Sequence, residues 1–417
     1  MTQTDDFPTL EMLPREQLLL LAHEYMLSGM MVTRGVMPMV VVRGGDLDLM
    51  NTVAIDEWMG ASPVYTGRMR ALMGIEGNDI AAIMKALQLD VGFVHQYMDV
   101  VYTITDSEHG EFYLAHCGAL IDAEAHGEDR VFGMCHTIED PTFDATALAT
   151  NPRARIRPIH RPPRTPANRN PHCHWTIVID ETNVPVGPIA LTSRVAELAL
   201  ASIPNAVETY DDGVAGRDDY RHEFASGLRL ADFSTGAVAA VTREFQTQSH
   251  LLIASSDLAL HQYFDAATAS SIVVDAWLGS SWLAAERLAR VFDLGTGARA
   301  VAKTLAITPM IPSGLTRELA VVGDRVSLIL RATADGLLDP AHPGWLGLVA
   351  QGNPAGFDGV ARALGCGFTD FESSLIDNVA TIKFSAAPET APSPEPDVVA
   401  LGRIGRVANW MFQTAIA

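Results

Sequence analysis

Apolar residues recur at intervals of three and four in two long parts of the chain, the spacing of one face of an α-helix. The helical runs cover 17–27, 53–60, 65–73 and 80–89 in the first part and 237–305 in the second. Each part then passes into segments rich in aromatic and β-branched residues, as strands are. These segments are 111–117 and 174–180, then 326–330 and 379–384. The pattern predicts an α+β fold in which helices precede a small sheet, twice.

Similar residues also recur at a nearly constant offset, which indicates an internal duplication. The matches are Glu24 with Glu244, Trp58 with Trp277, Arg68 with Arg287, and Phe143 with Phe357. The offset declines slowly along the chain, as small deletions in the second copy would produce, whereas coincidental matches would scatter. We therefore predict two tandem, similarly folded domains related by an approximate two-fold axis, because copies of a dimerising ancestor keep its contact.

The 417 residues favour two domains over a single core. We predict an active α+β domain at 1–181, a linker with some structure at 182–233 and a degenerate second copy at 234–385. A Pro-rich linker and a C-terminal helix follow at 386–417. That amphipathic helix, over 398–412, either docks on its own domain or exchanges with a second subunit, so a homo-oligomer such as a homodimer is one expectation.

The charge balance restricts the partners. Lys and Arg number 29 against 50 Asp and Glu, a formal net charge of −21, which repels phosphate backbones and anionic membrane surfaces. We expect a small-molecule partner and neither nucleic acid nor membrane. The amino terminus lacks the features of a secretory signal, and no run reads as a convincing membrane span, so a cytoplasmic protein is predicted. Its four cysteines are then thiols rather than disulfides.

Residues able to carry chemistry concentrate in the first copy. Between positions 116 and 174 stand three groups: His116-Cys117, Cys135-His136 and His172-Cys173-His174. In the second copy Arg331-Ala332-Thr333 takes the place of Ala115-His116-Cys117. We expect one active copy and one structural copy, because a single site suffices after a duplication.

Three interpretations of these groups stay open at this point. Thiolate and imidazole ligands select zinc or iron, and the candidate metal ligands are Cys117, Cys135, His136, Cys173 and His174. Alternatively, Cys117 or Cys173 is a nucleophile activated by an adjacent imidazole; the catalytic residues we name are Cys117 and His116, with Glu139 as a general base. The third interpretation is a set of core thiols and buried histidines. If 131–138 is a strand, Cys135 and His136 point to opposite faces.

An arginine-rich segment suggests how a substrate is held. Six arginines fall within 153–169 of an otherwise acidic chain, and Arg161 and Arg164 flank two prolines that limit the backbone. A guanidinium fork so placed suits a carboxylate, so both residues are predicted to bind an anionic substrate. The alternative is a solvated loop that offsets the net charge.

The order of the three cysteines resembles the L-2-amino-thiazoline-4-carboxylic acid hydrolase family. The matching stretches are Leu114-Ala115-His116-Cys117, Met134-Cys135-His136 and His172-Cys173-His174-Trp175, after a helical N-terminal half. In the last stretch the aromatic residue follows one position later than in the family pattern. The resemblance covers about 15–180, with an eroded echo at 234–385.

The resemblance implies hydrolysis of a carbon–heteroatom bond in a small molecule, with Cys117, Cys135 and Cys173 at the family's positions. The duplication, the added histidines and the arginine-rich segment depart from the family, so its thiazoline substrate is not carried over. A hypothesis from another class is a sensor or scaffold that binds a small ligand without chemistry. In that case the Cys/His groups form a structural metal site.

Overall fold

The computed structural model describes residues 7–391 and 393–404. The first repeat contains α1 (Arg15–Val42), α2 (Leu47–Met73), α3 (Ile80–Leu87), β1 (Met98–Ile104), β2 (His109–Cys117), α4 (Gly118–Glu124), α5 (Glu128–Phe132), α6 (Glu139–Leu148), β3 (Ala154–His160) and β4 (Cys173–Ile179). Helix α7 (Ala190–Ala196) follows. The second repeat contains α8 (Thr235–Tyr263), α9 (Ala266–Phe292), α10 (Ala298–Ile307), β5 (Leu315–Val322), β6 (Arg325–Ala332), α11 (Trp345–Ala350), α12 (Ala355–Ala363), β7 (Thr369–Ile376) and β8 (Val379–Ser385), and α13 (Asp397–Gly402) comes last.

Each repeat builds one four-stranded antiparallel sheet with the same plan. The strand orders are β1-β2-β4-β3 and β5-β6-β8-β7, and three helices precede each sheet. The buried positions of β4 alternate, with Cys173, Trp175 and Ile177 on the inner face. The predicted α+β fold in two tandem parts is confirmed. The predicted bounds of the four regions stay a prediction.

Helix α2 joins two runs that the sequence pattern separated. Pro63 lies inside it and has no N–H to donate, so the carbonyl of Met59 loses its partner within the helix. Thr192 of α7 donates its hydroxyl to that carbonyl at 2.9 Å. The side chain of Asp46 accepts a hydrogen bond from the amide of Leu49 and begins the helix, which therefore passes through Pro63 without ending.

The two repeats meet through their long helices, in a contact that is nearly symmetric. Arg68 of α2 donates to both carboxylate oxygens of Glu244 at 2.7 and 2.9 Å. Arg287 of α9 donates to both oxygens of Glu24 at 2.6 and 2.7 Å. Exchanging the repeats turns one ion pair into the other, since these are the residues that the duplication relates. The crossed pairs agree with the predicted approximate two-fold axis.

Small residues let the helices of the two repeats approach closely. A Cβ atom on Gly35 of α1 would lie 3.2 Å from the backbone of Ala276 in α9. The hydroxyl oxygens of Ser28 and Ser249 are 2.7 Å apart between α1 and α8. Because a side chain at position 35 would push α1 away from α9, the crossing depends on glycine there.

Helix α1 is the one helix among the described residues that has the length and composition to cross a membrane. Of its most apolar stretch, 67% is buried inside the protein, largely against α8 and α9. A long apolar helix of this kind is typical of a large protein core. The helix is consistent with a soluble protein.

The segment between the repeats covers the first repeat instead of extending freely. Tyr220 is fully buried, and its hydroxyl donates to the side chain of Gln88 at 2.7 Å. Near the other end of the chain, α13 packs on α1 and α9. The C-terminal helix was predicted over 398–412. The structure describes this segment only to residue 404, and the rest of it lies outside the described residues.

Candidate functional site

A cavity of about 390 Å³ lies in the first repeat and is lined by α1, α2, the inner face of the sheet and the α5–α6 region. Its volume is within the range of about 300–1,000 Å³ that is typical of small-molecule sites. Five methionines line it, together with four aromatic residues. The methionines are Met30, Met37, Met50, Met98 and Met134, and the aromatic residues are Trp58, Phe93, Phe143 and Trp175.

The corresponding space in the second repeat is filled. Trp277 and Phe357, the equivalents of the cavity residues Trp58 and Phe143, pack edge to face with ring centroids 5.4 Å apart. The fully buried indole of Trp345 stacks on Trp277 at 6.2 Å. Filled packing in one repeat and an open cavity in the other agree with one functional and one structural copy.

Two thiols of the first repeat line the cavity and a third lies beside them. Cys117 and Cys173 line it, and the buried Cys135 lies close enough to both that a thiolate at either position would raise its pKa. Burial raises the pKa of Cys117 to about 12 and raises the pKa values of Cys135 and Cys173 as well. The structure thus brings the three predicted cysteines together, in their protonated form.

Cys117 stands where β2 ends and α4 begins. Its sulfur accepts a hydrogen bond from the amide of Leu120 at 3.4 Å, and its own amide donates to Nδ1 of His172 at 3.2 Å. His116 is exposed, and its ring centroid is 5.7 Å from that of His172. The imidazole that contacts the backbone of Cys117 is therefore His172, not the predicted His116.

The segment around Cys135 and His136 is helical, so the condition considered above, a strand over 131–138, does not hold. Residues Gly133–Ile138 form a π-helical stretch between α5 and α6. Positions 131, 135 and 138 are buried, at the intervals of four and three residues that are typical of a helix. A short apolar run such as this does not by itself distinguish a helix from a strand. His136 donates to the carbonyl of Pro162 at 2.7 Å and stacks on Phe132 at 4.2 Å.

His174 lies on the face of the sheet opposite Cys173, because neighbouring residues of a strand alternate. Its Nε2 is 2.9 Å from a carboxylate oxygen of Glu111. His136 and His174 thus have other partners than the thiols, and the residues present do not form the mixed Cys/His site. In the described part of the chain no group of three or more His, Cys, Asp or Glu side chains is arranged to hold a metal ion. Zinc or iron stays a prediction.

Glu139 begins α6 and lines the cavity. Its Oε2 atom is buried and has no hydrogen-bond partner among the described residues. Burial raises the pKa of this carboxyl to about 8; Arg161 opposes the shift and Asp140 adds to it. The predicted general base is placed in the same cavity as Cys117 and carries a proton at neutral pH.

Two arginines that the sequence analysis did not single out also line the cavity. Nη1 of Arg130 is buried without a hydrogen-bond partner among the described residues, and burial followed by the charge of Arg34 lowers its pKa to about 10. Arg34 itself lies 3.6 Å from Asp122. The sequence could have pointed to Arg34, because it interrupts the apolar run of α1 and a charge buried among apolar residues is costly unless it has a partner. Arg130 stands in a polar segment and gave no such signal.

The two arginines that were predicted to hold an anion have partners in the chain itself. Arg161 donates to Asp140 at 2.6 Å and lies over the ring of Trp175. Arg164 donates to both oxygens of Glu124 at 2.9 and 2.8 Å. Neither is among the residues that line the cavity. Their role as substrate ligands stays a prediction.

The chain was compared with models of protein families, with curated proteins and with solved structures. None of the three comparisons gives a significant match. The family resemblance drawn from the cysteine order is neither supported nor refuted by them, so any function has to be argued from the geometry of the cavity.

Proposed function

We propose that the protein is a hydrolase that cleaves a carbon–heteroatom bond of a small anionic molecule bound in the first-repeat cavity. One observation carries this proposal: Cys117, Glu139 and Arg130 line the same cavity, and the carboxyl of Glu139 and the guanidinium of Arg130 each have one buried atom without a hydrogen-bond partner among the described residues. Buried polar atoms without partners are rare and costly. A ligand that offers an anion and a polar reacting group satisfies both.

We assign a separate role to each of these residues. Arg130, with Arg34 beside it, binds the anionic group of the substrate. As the sulfur of Cys117 bonds to the electrophilic carbon, the protonated carboxyl of Glu139 gives its proton to the leaving heteroatom and takes up the thiol proton on its other oxygen. The carbon–heteroatom bond breaks and a thioester forms. Water then adds to the thioester carbon, its proton returns to the sulfur, and the acid product leaves.

Substitution tests these roles once a panel of small anionic amides and esters has revealed a turned-over substrate. We expect Cys117→Ser and Glu139→Gln to abolish turnover. Cys366→Ser is the matched control, because it changes a buried thiol of the second repeat and should leave turnover intact. Full activity of Cys117→Ser would overturn the mechanism. Elemental analysis of protein purified without chelator tests the metal alternative, which stoichiometric zinc or iron would favour.

A second candidate is a sensor or scaffold that binds the same kind of molecule without changing it. The specific observation in its favour is that burial raises the pKa values of the two thiols that line the cavity and of Cys135 beside them, since a protonated thiol is a poor nucleophile. Saturable binding of panel members, with no turnover of any of them, would favour this candidate over the hydrolase.

The proposal places the protein in the cytoplasm. All four cysteines are free and buried, which suits a reducing compartment, and the net charge of −21 argues against nucleic-acid and membrane partners. Self-association as a homodimer is carried over from the sequence as an expectation, for which sedimentation of the purified protein is the measurement.

A further inference from the structure

The first-repeat cavity is long as well as apolar. One face of α1 lines it from Met30 to Val42, and a rise of 1.5 Å per residue makes this face about 18 Å long. A compact ligand would contact only part of such a surface. The shape therefore favours an extended ligand that lies along α1.

The interior of the cavity and its mouth differ in chemistry. In the interior Arg34 and Arg130 lie near each other, because the charge of Arg34 acts on Arg130, and it also acts on the thiol of Cys117. The mouth is aliphatic and opens to solvent: its lining residues Val41, Val42, Leu47 and Leu401 have 39–55% of their surface exposed. Large exposed apolar side chains at the rim of a cavity mark a binding site for apolar groups.

Length and lining together indicate an alkyl chain at the mouth. Val41 and Val42 lie seven and eight residues after Arg34, or about 10 to 12 Å along α1. An extended chain of about eight to ten carbons, with bonds of about 1.5 Å, covers this distance. The five cavity methionines are unbranched and adaptable, so they can pack around a flexible chain.

We propose that the cavity binds an N-acyl amino acid whose linear acyl chain runs along α1 to the mouth formed by Val41, Val42, Leu47 and Leu401. The carboxylate lies at Arg130 and the amide carbonyl at Cys117. This inference rests on the proposed function for the cleavage alone. In that step the sulfur of Cys117 bonds to the carbonyl carbon, the C–N bond breaks, and Glu139 gives its proton to the leaving amine while it takes up the thiol proton. Water then releases the fatty acid and restores the thiol.

The test measures binding of a series of N-acylglycines to the full-length Cys117→Ser variant by titration calorimetry. From butanoylglycine to decanoylglycine, each added methylene should tighten binding about fourfold, as burial of about 0.8 kcal/mol per CH₂ gives. Affinity that does not depend on chain length, or benzoylglycine binding more tightly than octanoylglycine, would overturn the inference. Decanoate binding more tightly than decanoylglycine would overturn the placement of an amino acid beyond the thiol.

A substitution at the mouth locates the chain. Val42 is 55% exposed, so Val42→Asp should leave the fold intact; it should weaken decanoylglycine about tenfold because it places a charge beside the last methylenes. Butanoylglycine, which does not reach the mouth, should change less than about twofold. The matched control is Val322→Asp, at a position of the second repeat that is 68% exposed. Equal effects of the two variants on decanoylglycine would contradict the proposed path.

The outcomes separate this inference from the proposed function. Chain-length-dependent binding without cleavage by the wild-type protein would sustain the ligand class and end the hydrolase proposal. Cleavage of a short anionic amide, with no dependence of binding on chain length, would sustain the hydrolase and end the acyl-chain inference.

Discussion

The buried carboxyl of Glu57 shows how the interior of this protein shifts the pKa values of its side chains. Glu57 is fully buried and accepts a hydrogen bond from Thr33 at 2.6 Å. Burial raises the pKa of Glu57 from 4.5 to about 8, while the hydrogen bond from Thr33 opposes the shift. The folded protein therefore keeps a proton on Glu57 at neutral pH, where an exposed glutamate has lost it.

Substitution of Glu57 by Gln should change how stability depends on pH. The folded state binds one more proton than the unfolded state between about pH 4.5 and 8, so the wild type loses stability as the pH rises through this window. Glu57→Gln lacks this loss. The difference between its free energy of unfolding and that of the wild type should therefore shift by roughly 3 to 5 kcal/mol in favour of the variant as the pH rises from 4.5 to 8. Urea unfolding at several pH values measures it. Glu197→Gln, at an exposed position, should follow the wild type.

The unpartnered guanidinium of Arg130 predicts where an anion binds. Arg130→Met should weaken binding of an anionic ligand by about 10- to 100-fold, because a charged hydrogen bond contributes about 1.5 to 3 kcal/mol. Arg161→Met is the matched variant, since Arg161 already pairs with Asp140, and it should change the affinity less than about threefold. Calorimetric titration of both variants decides between them, and the reverse order of effects would restore Arg161 as the anion ligand.

Whole helices are held together by the crossed ion pairs between the repeats. The side chain of Glu244 is 1% exposed and that of Arg68 is 15% exposed, so removal of either partner leaves a buried charge. Arg68→Met should destabilise the protein by roughly 3 to 5 kcal/mol. Arg43→Ala breaks the more exposed pair with Asp275 between the same repeats and should cost less than about 1 kcal/mol. Equal losses in denaturant unfolding would refute the distinction.

Equivalent tryptophans of the two repeats should respond differently to truncation. Trp277 is fully buried against Trp345 and Phe357. Trp277→Ala therefore creates a cavity beside α9 and should lower the free energy of unfolding by about 3 to 5 kcal/mol. Trp58 already faces the open cavity, and Trp58→Ala should cost clearly less. Thermal unfolding of the two variants compares them, and a larger loss for Trp58→Ala would contradict the assignment of the open and filled repeats.

At the scale of the whole molecule, the two repeats form one packed unit. Helices α1 and α2 pack on α8, and α1 packs on α9 as well, so the long helices of the two repeats share one hydrophobic core. We expect a single cooperative unfolding transition, and a ligand of the first-repeat cavity should raise the one Tm of the whole chain. Differential scanning calorimetry with and without ligand checks this, and two separate transitions of which only one moves would contradict it.

The sequence by itself determined the architecture, because periodicity is a local property of the chain. Helical spacing and β-branched segments predicted the α+β fold, and the paired offsets of Glu24 with Glu244 and Arg68 with Arg287 predicted the duplication. Three of the four cysteines fall in one stretch of the chain, and this alone pointed to Cys117, Cys135 and Cys173. These features follow from residue type and spacing, which folding does not alter.

Only the tertiary structure decided what surrounds each side chain, because that depends on residues far away in sequence. It separated His136 and His174 from the thiols, since Pro162 and Glu111 bind them. It placed Arg130, which no pattern marked, beside a cavity that α1 and the sheet enclose. Burial, and with it every shifted pKa and every unpartnered polar atom of the cavity, arises when distant elements exclude water together, and a one-dimensional pattern carries no record of that.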